Sequence, residues 1–171
     1  LVINGNATLG EELAGHGFDT VLVPVGGGGL ISGVIKGLAQ NNCNAEVYGC
    51  EPMLANDASR SFQAGEIVAN EKEPLTIADG ARTISLGNLN WPIIQSGVKD
   101  FIEVSDENIA NALRLYFTLA NLKCEPTGAV SLGAVLENKE RFTEKKICLI
   151  VSGGNVDGKV YADILTTSNG K

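Results

Sequence analysis

Residues 20–30 restrict the possible folds of this chain more than any other stretch, because an apolar run ends there in four consecutive glycines. The run at 20–25 (TVLVPV) is rich in β-branched residues. Unbroken apolarity of this kind is typical of a parallel strand buried on both faces. Gly26 to Gly29 follow, and a helical stretch begins at Leu30. A buried strand that leads through glycines into a helix predicts an α/β domain with a parallel sheet.

Strand-like and helical stretches alternate along the rest of the chain, which is 171 residues long. A first helix, capped by Asn6 or Thr8, is expected to end near Ala14, and Ser105 is expected to cap the clearest helix. Further strands are expected at 46–50, 101–104 and 147–151, and further helices at 30–40, 55–63, 91–98 and 127–138. The alternation predicts a three-layer α/β fold, an open twisted parallel sheet with helices on both faces.

Composition narrows the classes of partner. The net charge of −7 argues against a nucleic-acid partner, and the apolar runs are too short to span a bilayer. The chain shows no secretory signal. The four cysteines (Cys43, Cys50, Cys124 and Cys148) form no C-x-x-C pair, and His16 is the single histidine, so a zinc site has little support. At least Cys50 and Cys148 lie inside strand-like runs and are expected to be buried thiols, as is common in a cytosolic protein, although spacing alone leaves a disulfide open.

The glycine run has the residue types of an anion site. Glycines let backbone N–H groups converge on an anion, and the N-terminus of the following helix adds positive potential. No Lys-Ser/Thr pair follows, so this is not a Walker A loop, and Gly33 falls one place late for the dinucleotide pattern G-x-G-x-x-G. A flexible turn is the alternative, but ligands of open sheets bind at this end of the strands.

Three further positions have the chemistry of a ligand site. Ser152 directly follows the apolar run at 147–151, where its hydroxyl could bond a ring nitrogen, or simply belong to a polar turn. Glu125 lies between two helical stretches, where a capping carboxylate is the alternative. Gly80 follows Asp79 in a long loop, where a simple turn is the alternative.

Glu51, Ala55 and Asp57 form a possible cation site. Two carboxylates six residues apart at a strand end, with a main-chain carbonyl between them, could bind a hard cation. The alternative is that Glu51 is solvated and Asp57 is a surface residue or belongs to the first turn of a helix.

Five segments, in the same order, resemble the large C-terminal domain of fold-type II pyridoxal-phosphate enzymes, a tryptophan synthase β-like fold. They are VPVGGGGLISG, YGCEPMLANDA, TIADGARTISLGNLNWPII, CEPTGAVSLGAVL and VSGGNVD. The resemblance covers nearly the whole chain and is greatest to the serine racemase and serine/threonine dehydratase group. It implies a cofactor, pyridoxal 5′-phosphate, whose phosphate would be bound by five backbone amides, those of Gly26, Gly27, Gly28, Gly29 and Leu30.

The resemblance also implies roles for the remaining candidates. Ser152 would hydrogen-bond the pyridine nitrogen, Gly80 would lie near the substrate, and Glu125 would lie near the cofactor ring. In metal-activated members, residues matching three positions of this chain hold Mg²⁺, Ca²⁺ or Mn²⁺. Those positions are Glu51, the Ala55 carbonyl and Asp57.

One departure from the family pattern is large. The family's Schiff-base lysine lies in a Ser-x-Lys-x-Arg-Gly type segment upstream of the glycine loop, whereas no lysine precedes Gly26 here, and Lys36 lies on the following helix. The resemblance therefore implies that residues 1–171 are a single large-domain fragment without the lysine-bearing part and the small domain. No catalytic residue is assigned in this chain, and the fragment alone is expected to be inactive.

The implied parent enzyme eliminates water from a hydroxy amino acid of the L-serine or L-threonine class, or racemises it. A 3-hydroxyaspartate dehydratase is a close variant, and a cytoplasmic homodimer is expected. The alternative from another class is a catalytically silent domain that keeps a phosphate site or contributes an assembly surface.

Overall fold

The computed structural model describes residues 1–167, which form a parallel sheet of four strands. The strands are β1 (Thr20–Pro24), β2 (Glu46–Pro52), β3 (Val98–Val104) and β4 (Ile147–Leu149). They lie in the order β3-β2-β1-β4, so that Leu22 of β1 pairs with Tyr48 on one side and Leu149 on the other. The strand order therefore reverses at β1.

Helices cover both faces of this sheet. They are α1 (Val2–Ala14), α2 (Gly29–Gln40), α3 (Asp57–Ala64), α4 (Trp91–Gly97), α5 (Asp106–Leu119), α6 (Pro126–Glu137) and α7 (Gly158–Thr166). Val21 and Val23 of β1 share one buried cluster with Ile31 of α2, whereas Leu22 shares another with Leu113 of α5. Successive strand residues point to opposite faces, so β1 contributes to both clusters. The predicted three-layer α/β architecture is confirmed.

Element boundaries differ from the sequence expectation at the two ends of the chain. The first helix begins at Val2 rather than after a cap at Asn6 or Thr8, and Leu1 is its N-cap residue. Helix α7 was not predicted, and the Asp157 carboxylate caps it by accepting the N–H groups of Lys159 and Val160. The Ser105 cap is confirmed, because its hydroxyl accepts the N–H of Asn108.

Two further expectations concern thiols and membranes. All four cysteines are free thiols, so the disulfide that spacing left open is not formed. Cys50 is buried as expected, whereas Cys148 is only half-buried, and Cys124 is also buried. Within residues 1–167, no helix has both the length and the apolar character needed to cross a bilayer.

Helices α1 and α2 run side by side in the same direction and pack through glycines. A Cβ added to Gly37 of α2 would lie 2.1 Å from the carbonyl oxygen of Ala7, and one added to Gly33 would lie 2.3 Å from Cβ of Asn6. A Cβ on Gly10 of α1 would likewise meet the Val34 carbonyl at 2.4 Å. Because these positions carry no side chains, α2, the helix that follows the glycine loop, can pack directly against α1.

Gly37→Ala should lower the free energy of unfolding by about 2 kcal/mol, since overpacking a close contact against backbone costs about 1–3 kcal/mol. The matched control is Gly5→Ala on α1, where an added Cβ meets no atom within 4 Å. There, the better helix propensity of alanine should stabilise the protein by up to about 1 kcal/mol. Urea denaturation of both variants checks this, and equal effects would contradict the described packing.

Candidate functional site

The carboxyl ends of β1 and β4 meet at a cavity of about 240 Å³. Residues 26–30 lead out of β1, and Ser152 and Gly153 follow β4. The Ile150 N–H donates to the Leu22 carbonyl at 3.0 Å, so the pairing with β1 continues beyond β4. The cavity thus lies where the strand order reverses, which is the usual ligand position in open α/β sheets.

The glycine loop presents free donors at one wall of this cavity. Gly28 is the N-cap of α2 and has φ +87°, and the first bond of the helix runs from the Ser32 N–H to the Gly28 carbonyl. The amides of Gly29, Leu30 and Ile31 therefore have no acceptor inside the helix. No acidic side chain occupies the first turn of α2. This arrangement favours an anion.

The loop is packed rather than loose. A Cβ on Gly28 would lie 2.7 Å from Cδ1 of Ile94, and one on Gly26 would lie 2.8 Å from the Gly80 carbonyl oxygen. A Cβ on Gly27, in contrast, would meet no atom within 4 Å. Gly26 and Gly28 are therefore required by their neighbours, whereas Gly27 borders open space at the cavity.

Helix α6 fixes the chain around Ser152. The Ser131 hydroxyl donates to the Ile150 carbonyl at 2.9 Å. A Cβ on Gly128 would lie only 2.4 Å from the Ser152 carbonyl oxygen, so the first turn of α6 approaches this backbone closely. Ser152 lines the cavity opposite the glycine loop as a result.

Glu125 is the charged residue that lines the cavity. It is the N-cap residue of α6, but its carboxylate does not cap that helix. Instead, Oε2 accepts the N–H of Asn155 at 3.1 Å. A Cβ on Gly153, which has φ +77°, would lie 2.3 Å from Glu125 Oε1. The interpretation of Glu125 as a capping carboxylate is therefore wrong.

Gly80 is fixed to the cavity by Thr127. Its N–H lies 3.0 Å from the Thr127 hydroxyl oxygen and 2.9 Å from Asp79 Oδ1. Thr127 and Gly153 also line the cavity and were not singled out from the sequence, although both lie inside the quoted motifs. The structure brings all eight residues of the predicted cofactor site to this cavity, and what they bind stays a prediction.

The three residues of the possible cation site lie elsewhere, between the end of β2 and the start of α3. Glu51, Ala55 and Asp57 are each 1% exposed, so Glu51 is not the solvated residue of the alternative interpretation. The Glu51 carboxylate accepts the N–H groups of Ala58 and Ser59 in the first turn of α3. Glu51 therefore caps α3 from the neighbouring strand.

The carboxyl groups of Glu51 and Asp57 are costly to ionise. Burial, with the neighbouring charge of Asp57 adding to it, raises the pKa of Glu51 to about 8. Burial also raises the pKa of Asp57 to about 6, although the Asn70 amide donates to Oδ1. Asp57 Oδ2 is buried without a hydrogen-bond partner. In the described part of the chain, no group of three or more His, Cys, Asp or Glu side chains is placed to hold a metal ion.

Stability should fall as the pH rises from roughly 4.5 to about 8 in metal-free buffer. In this window the folded protein keeps protons on Glu51 that the unfolded chain has released, so deprotonation opposes folding. The rise of the Glu51 pKa from 4.5 to about 8 corresponds to on the order of 5 kcal/mol of stability. Urea unfolding at a series of pH values measures the slope.

Glu51→Gln should remove the slope above about pH 6, whereas the raised pKa of Asp57 leaves a slope below it. Glu46→Gln is the control, because a hydrogen bond from Lys99, together with Lys145, lowers the pKa of Glu46 to about 2, below the window. A slope above about pH 6 that survives in Glu51→Gln, or that disappears in Glu46→Gln, would contradict the assignment.

Within residues 1–167, no lysine lines the cavity. Lys123 is two residues from Glu125, but its ammonium donates to the Gly154 carbonyl at 2.8 Å and lies 5.8 Å from the centre of the Tyr161 ring. Lys36 on α2 donates to Asn4. The described cavity therefore offers backbone donors, the hydroxyls of Thr127 and Ser152, and the Glu125 carboxylate, but no primary amine.

Known proteins share much of this sequence. The sequence profile of a family described as "Pyridoxal-phosphate dependent enzyme" matches residues 1–153. The chain is 41% identical over 167 residues to serine racemase from Schizosaccharomyces pombe, covering 96% of this chain and 51% of the relative. It is 39% identical over 166 residues to L-threo-3-hydroxyaspartate ammonia-lyase from Pseudomonas sp, covering 96% and 52%.

A solved structure, that of maize serine racemase, shows the same fold. It superposes with a TM-score of 0.86 at 37% identity, covering 95% of this chain and 52% of that one. A threonine deaminase crystal structure superposes equally well, with a TM-score of 0.86 at 43% identity, covering 91% and 58%. The chain spans about half the length of the curated relatives it matches.

Proposed function

This chain belongs to the family of pyridoxal-phosphate dependent enzymes, and we propose on that basis that its cavity binds the phosphate and ring of pyridoxal 5′-phosphate. The observation that carries the proposal is the meeting of the glycine loop and Ser152 at one 240 Å³ cavity, where the strand order reverses. The whole enzyme would act on a hydroxy amino acid.

The cavity fits a phosphate group. Its anion-binding wall consists of backbone from Gly26 to Leu30, at the N-terminus of a helix without acidic residues in its first turn. Backbone amides and a helix N-terminus are sufficient to hold a phosphate. The packed contacts of Gly26 and Gly28 keep these amides in place before the ligand arrives, so binding need not order the loop.

Ser152 would hydrogen-bond the ring nitrogen of the cofactor. Pyridoxal phosphate supplies an electron-withdrawing ring that stabilises negative charge at the substrate Cα. A serine hydroxyl donates a hydrogen bond without giving up its proton, unlike an acidic partner, which would protonate that nitrogen. Ser152 would therefore keep the ring a weaker electron sink, which suits elimination and racemisation.

Two more cavity residues would position the reactants. Gly80 would lie beside the substrate, and its lack of a side chain lets Thr127 approach closely enough for the Thr127 hydroxyl to accept the Gly80 N–H. Glu125 would lie beside the cofactor ring, with its carboxylate oriented by the Asn155 N–H and by close contact with Gly153.

The amine that holds the cofactor aldehyde would come from outside the described cavity, since no lysine among residues 1–167 lines it. Residues 1–171 would thus contribute one large-domain half of the site, and alone would not turn over substrate. The homodimer and the cytoplasmic location stay predictions.

Three reactions agree with the relatives. The first is elimination of water from serine or threonine, followed by hydrolysis that takes up water again and releases a keto acid and ammonia. The second is the same reaction on 3-hydroxyaspartate, and the third is racemisation of serine. Full-length protein with pyridoxal phosphate should be assayed with L-serine, L-threonine and L-threo-3-hydroxyaspartate. Keto acid and ammonia identify a lyase, and D-serine identifies a racemase.

Ser152→Ala should lower kcat in this assay, whereas exposed Ser96→Ala should not.

The lack of a cavity lysine also allows an alternative function, that of a catalytically silent domain that binds phosphate or contributes to assembly. That alternative holds if full-length protein binds the cofactor but forms no product.

A divalent cation would fit between Glu51, the Ala55 carbonyl and Asp57. Asp57 Oδ2 is buried without a hydrogen-bond partner, and burial raises the pKa of Glu51, so a cation here would lower the cost of ionising both carboxyl groups. Oxygen ligands of this kind suit Mg²⁺, Ca²⁺ or Mn²⁺. The ion would neutralise both carboxylates and stabilise the connection between β2 and α3.

Mg²⁺ should therefore raise the melting temperature, and more at pH 8 than at pH 6, because its ligands must be ionised. Asp57→Asn should abolish this Mg²⁺-induced shift. Asp106→Asn is the control, since Asp106 also lies in the first turn of a helix. An equal Mg²⁺ response in both variants would remove the site from consideration.

A further inference from the structure

We propose that Asn90 is a positioning residue of the glycine loop, which fixes the Gly27–Gly28 peptide so that its N–H faces the cavity. The proposal rests on the proposed function, because it concerns the amide that the phosphate would use. Asn90 is 63 residues from Gly27 in sequence and does not line the cavity.

Two donors from one short segment converge on the Gly27 carbonyl. The Asn90 side-chain amide donates to this oxygen at 2.5 Å, and the Gly87 N–H donates to it at 3.0 Å. Neither residue lines the cavity, whereas Gly27 and Gly28 both do. The carbonyl of Gly27 is therefore held on the side away from the cavity.

Because the peptide bond is planar, the contact at the Gly27 carbonyl also determines the direction of the Gly28 N–H. The peptide bonds of residues 1–167 are all trans, and in a planar trans peptide the C=O and the N–H point in opposite directions. Holding the Gly27 carbonyl outward therefore turns the Gly28 N–H inward. Without the two donors, glycines could rotate this peptide at little steric cost.

Asn90 is itself fixed to the helix that follows the loop. Its carbonyl oxygen accepts the N–H of Ile94 at 3.0 Å and the hydroxyl of buried Ser32 at 3.4 Å. Ser32 lies in the first turns of α2. The loop, α2 and the start of α4 thus form one hydrogen-bonded unit.

Steric contacts match this arrangement. A Cβ on Gly87 would lie 2.8 Å from the Asn90 amide nitrogen, and one on Gly28 would lie 3.2 Å from Cβ of Asn90. Glycine at both positions leaves room for the Asn90 side chain to reach the Gly27 carbonyl.

The test compares Asn90→Asp with Asn88→Asp in full-length apoprotein. Aspartate keeps the size of asparagine but only accepts hydrogen bonds when ionised, so it would repel the Gly27 carbonyl. Exposed Asn88 undergoes the same charge change two residues away. The dissociation constants of pyridoxal 5′-phosphate and of pyridoxal, which lacks the phosphate, are measured for each protein by cofactor absorbance.

Asn90→Asp should weaken binding of pyridoxal 5′-phosphate about tenfold and leave pyridoxal binding unchanged, while Asn88→Asp changes neither. Asn90→Ser, which is too short to reach Gly27, should show the same selective loss and serves if the aspartate variant does not fold. Equal weakening of both ligands, or unchanged affinity for both, overturns the role of Asn90 alone. If the unmodified protein does not prefer the phosphorylated ligand, the proposed phosphate site fails, and the role of Asn90 fails with it.

Discussion

Gly27→Asp is expected to weaken binding of pyridoxal 5′-phosphate by at least roughly 100-fold while leaving the free energy of unfolding nearly unchanged. A Cβ at this position meets no atom within 4 Å, so the new side chain enters open space at the cavity without disturbing the packing. A carboxylate about 5 Å from a phosphate charge costs about 3 kcal/mol at an effective dielectric constant of about 20, which corresponds to more than 100-fold in affinity.

Gly27→Asn is the matched control, because it has the same shape without the charge. Titration of full-length apoprotein with pyridoxal phosphate, together with urea unfolding, separates the two effects. Aspartate and asparagine variants of equal affinity would show that repulsion of a phosphate is not the cause. Unchanged affinity in both would remove the glycine loop from the cofactor site.

Gly28→Ala should differ in its effect on stability and lower the free energy of unfolding by about 3 kcal/mol. A non-glycine residue at positive φ costs about 1–2 kcal/mol, and Gly28 has φ +87°. The added Cβ would also lie 2.7 Å from Cδ1 of Ile94 and 3.1 Å from Cδ2 of Leu86, which adds an overpacking cost. Cofactor binding should be lost as a consequence of the displaced loop.

A second substitution separates the two costs. Ile94→Val removes the Cδ1 atom that lies nearest the new Cβ. Gly28→Ala combined with Ile94→Val should therefore recover the part of the steric cost that is due to Ile94, measured against Ile94→Val alone. The cost of positive φ should remain. Gly27→Ala, in which the added Cβ meets nothing, is the control for a methyl group in this loop. Equal stability of Gly27→Ala and Gly28→Ala in urea would contradict the described loop conformation.

Local patterns were sufficient for most elements of the fold. The apolar run at 20–25 predicted β1, because a strand buried on both faces needs apolar residues at every position. Ser105 predicted the start of α5, because a capping hydroxyl reaches an N–H only three residues ahead. Helix α1 was predicted to begin too late, since its packing against the glycines of α2 extends it to Val2, and α2 lies further along the chain.

The candidate site was predictable where its residues lie in a short sequence motif. Gly80, Glu125 and Ser152 lie in motifs and line the same cavity as the glycine loop. Asn90 could not be found in this way, since its contact is with a carbonyl 63 residues away. The burial of Glu51 could not be predicted from a motif either, because its carboxylate oxygens accept N–H groups of a helix that starts six residues later.

The sequence by itself determined the order of the elements, the parallel sheet and the glycine-rich anion loop, because each depends on residue types within one run of the chain. Only the tertiary structure decided that β4 lies beside β1, which brings Ser152 to the glycine loop, and that Asn90 holds the Gly27 carbonyl. The physical reason is that strand neighbours and long-range hydrogen bonds are selected by packing between residues far apart in the chain. Local hydrophobic periodicity and residue propensity do not determine which strands become neighbours or which distant groups form hydrogen bonds.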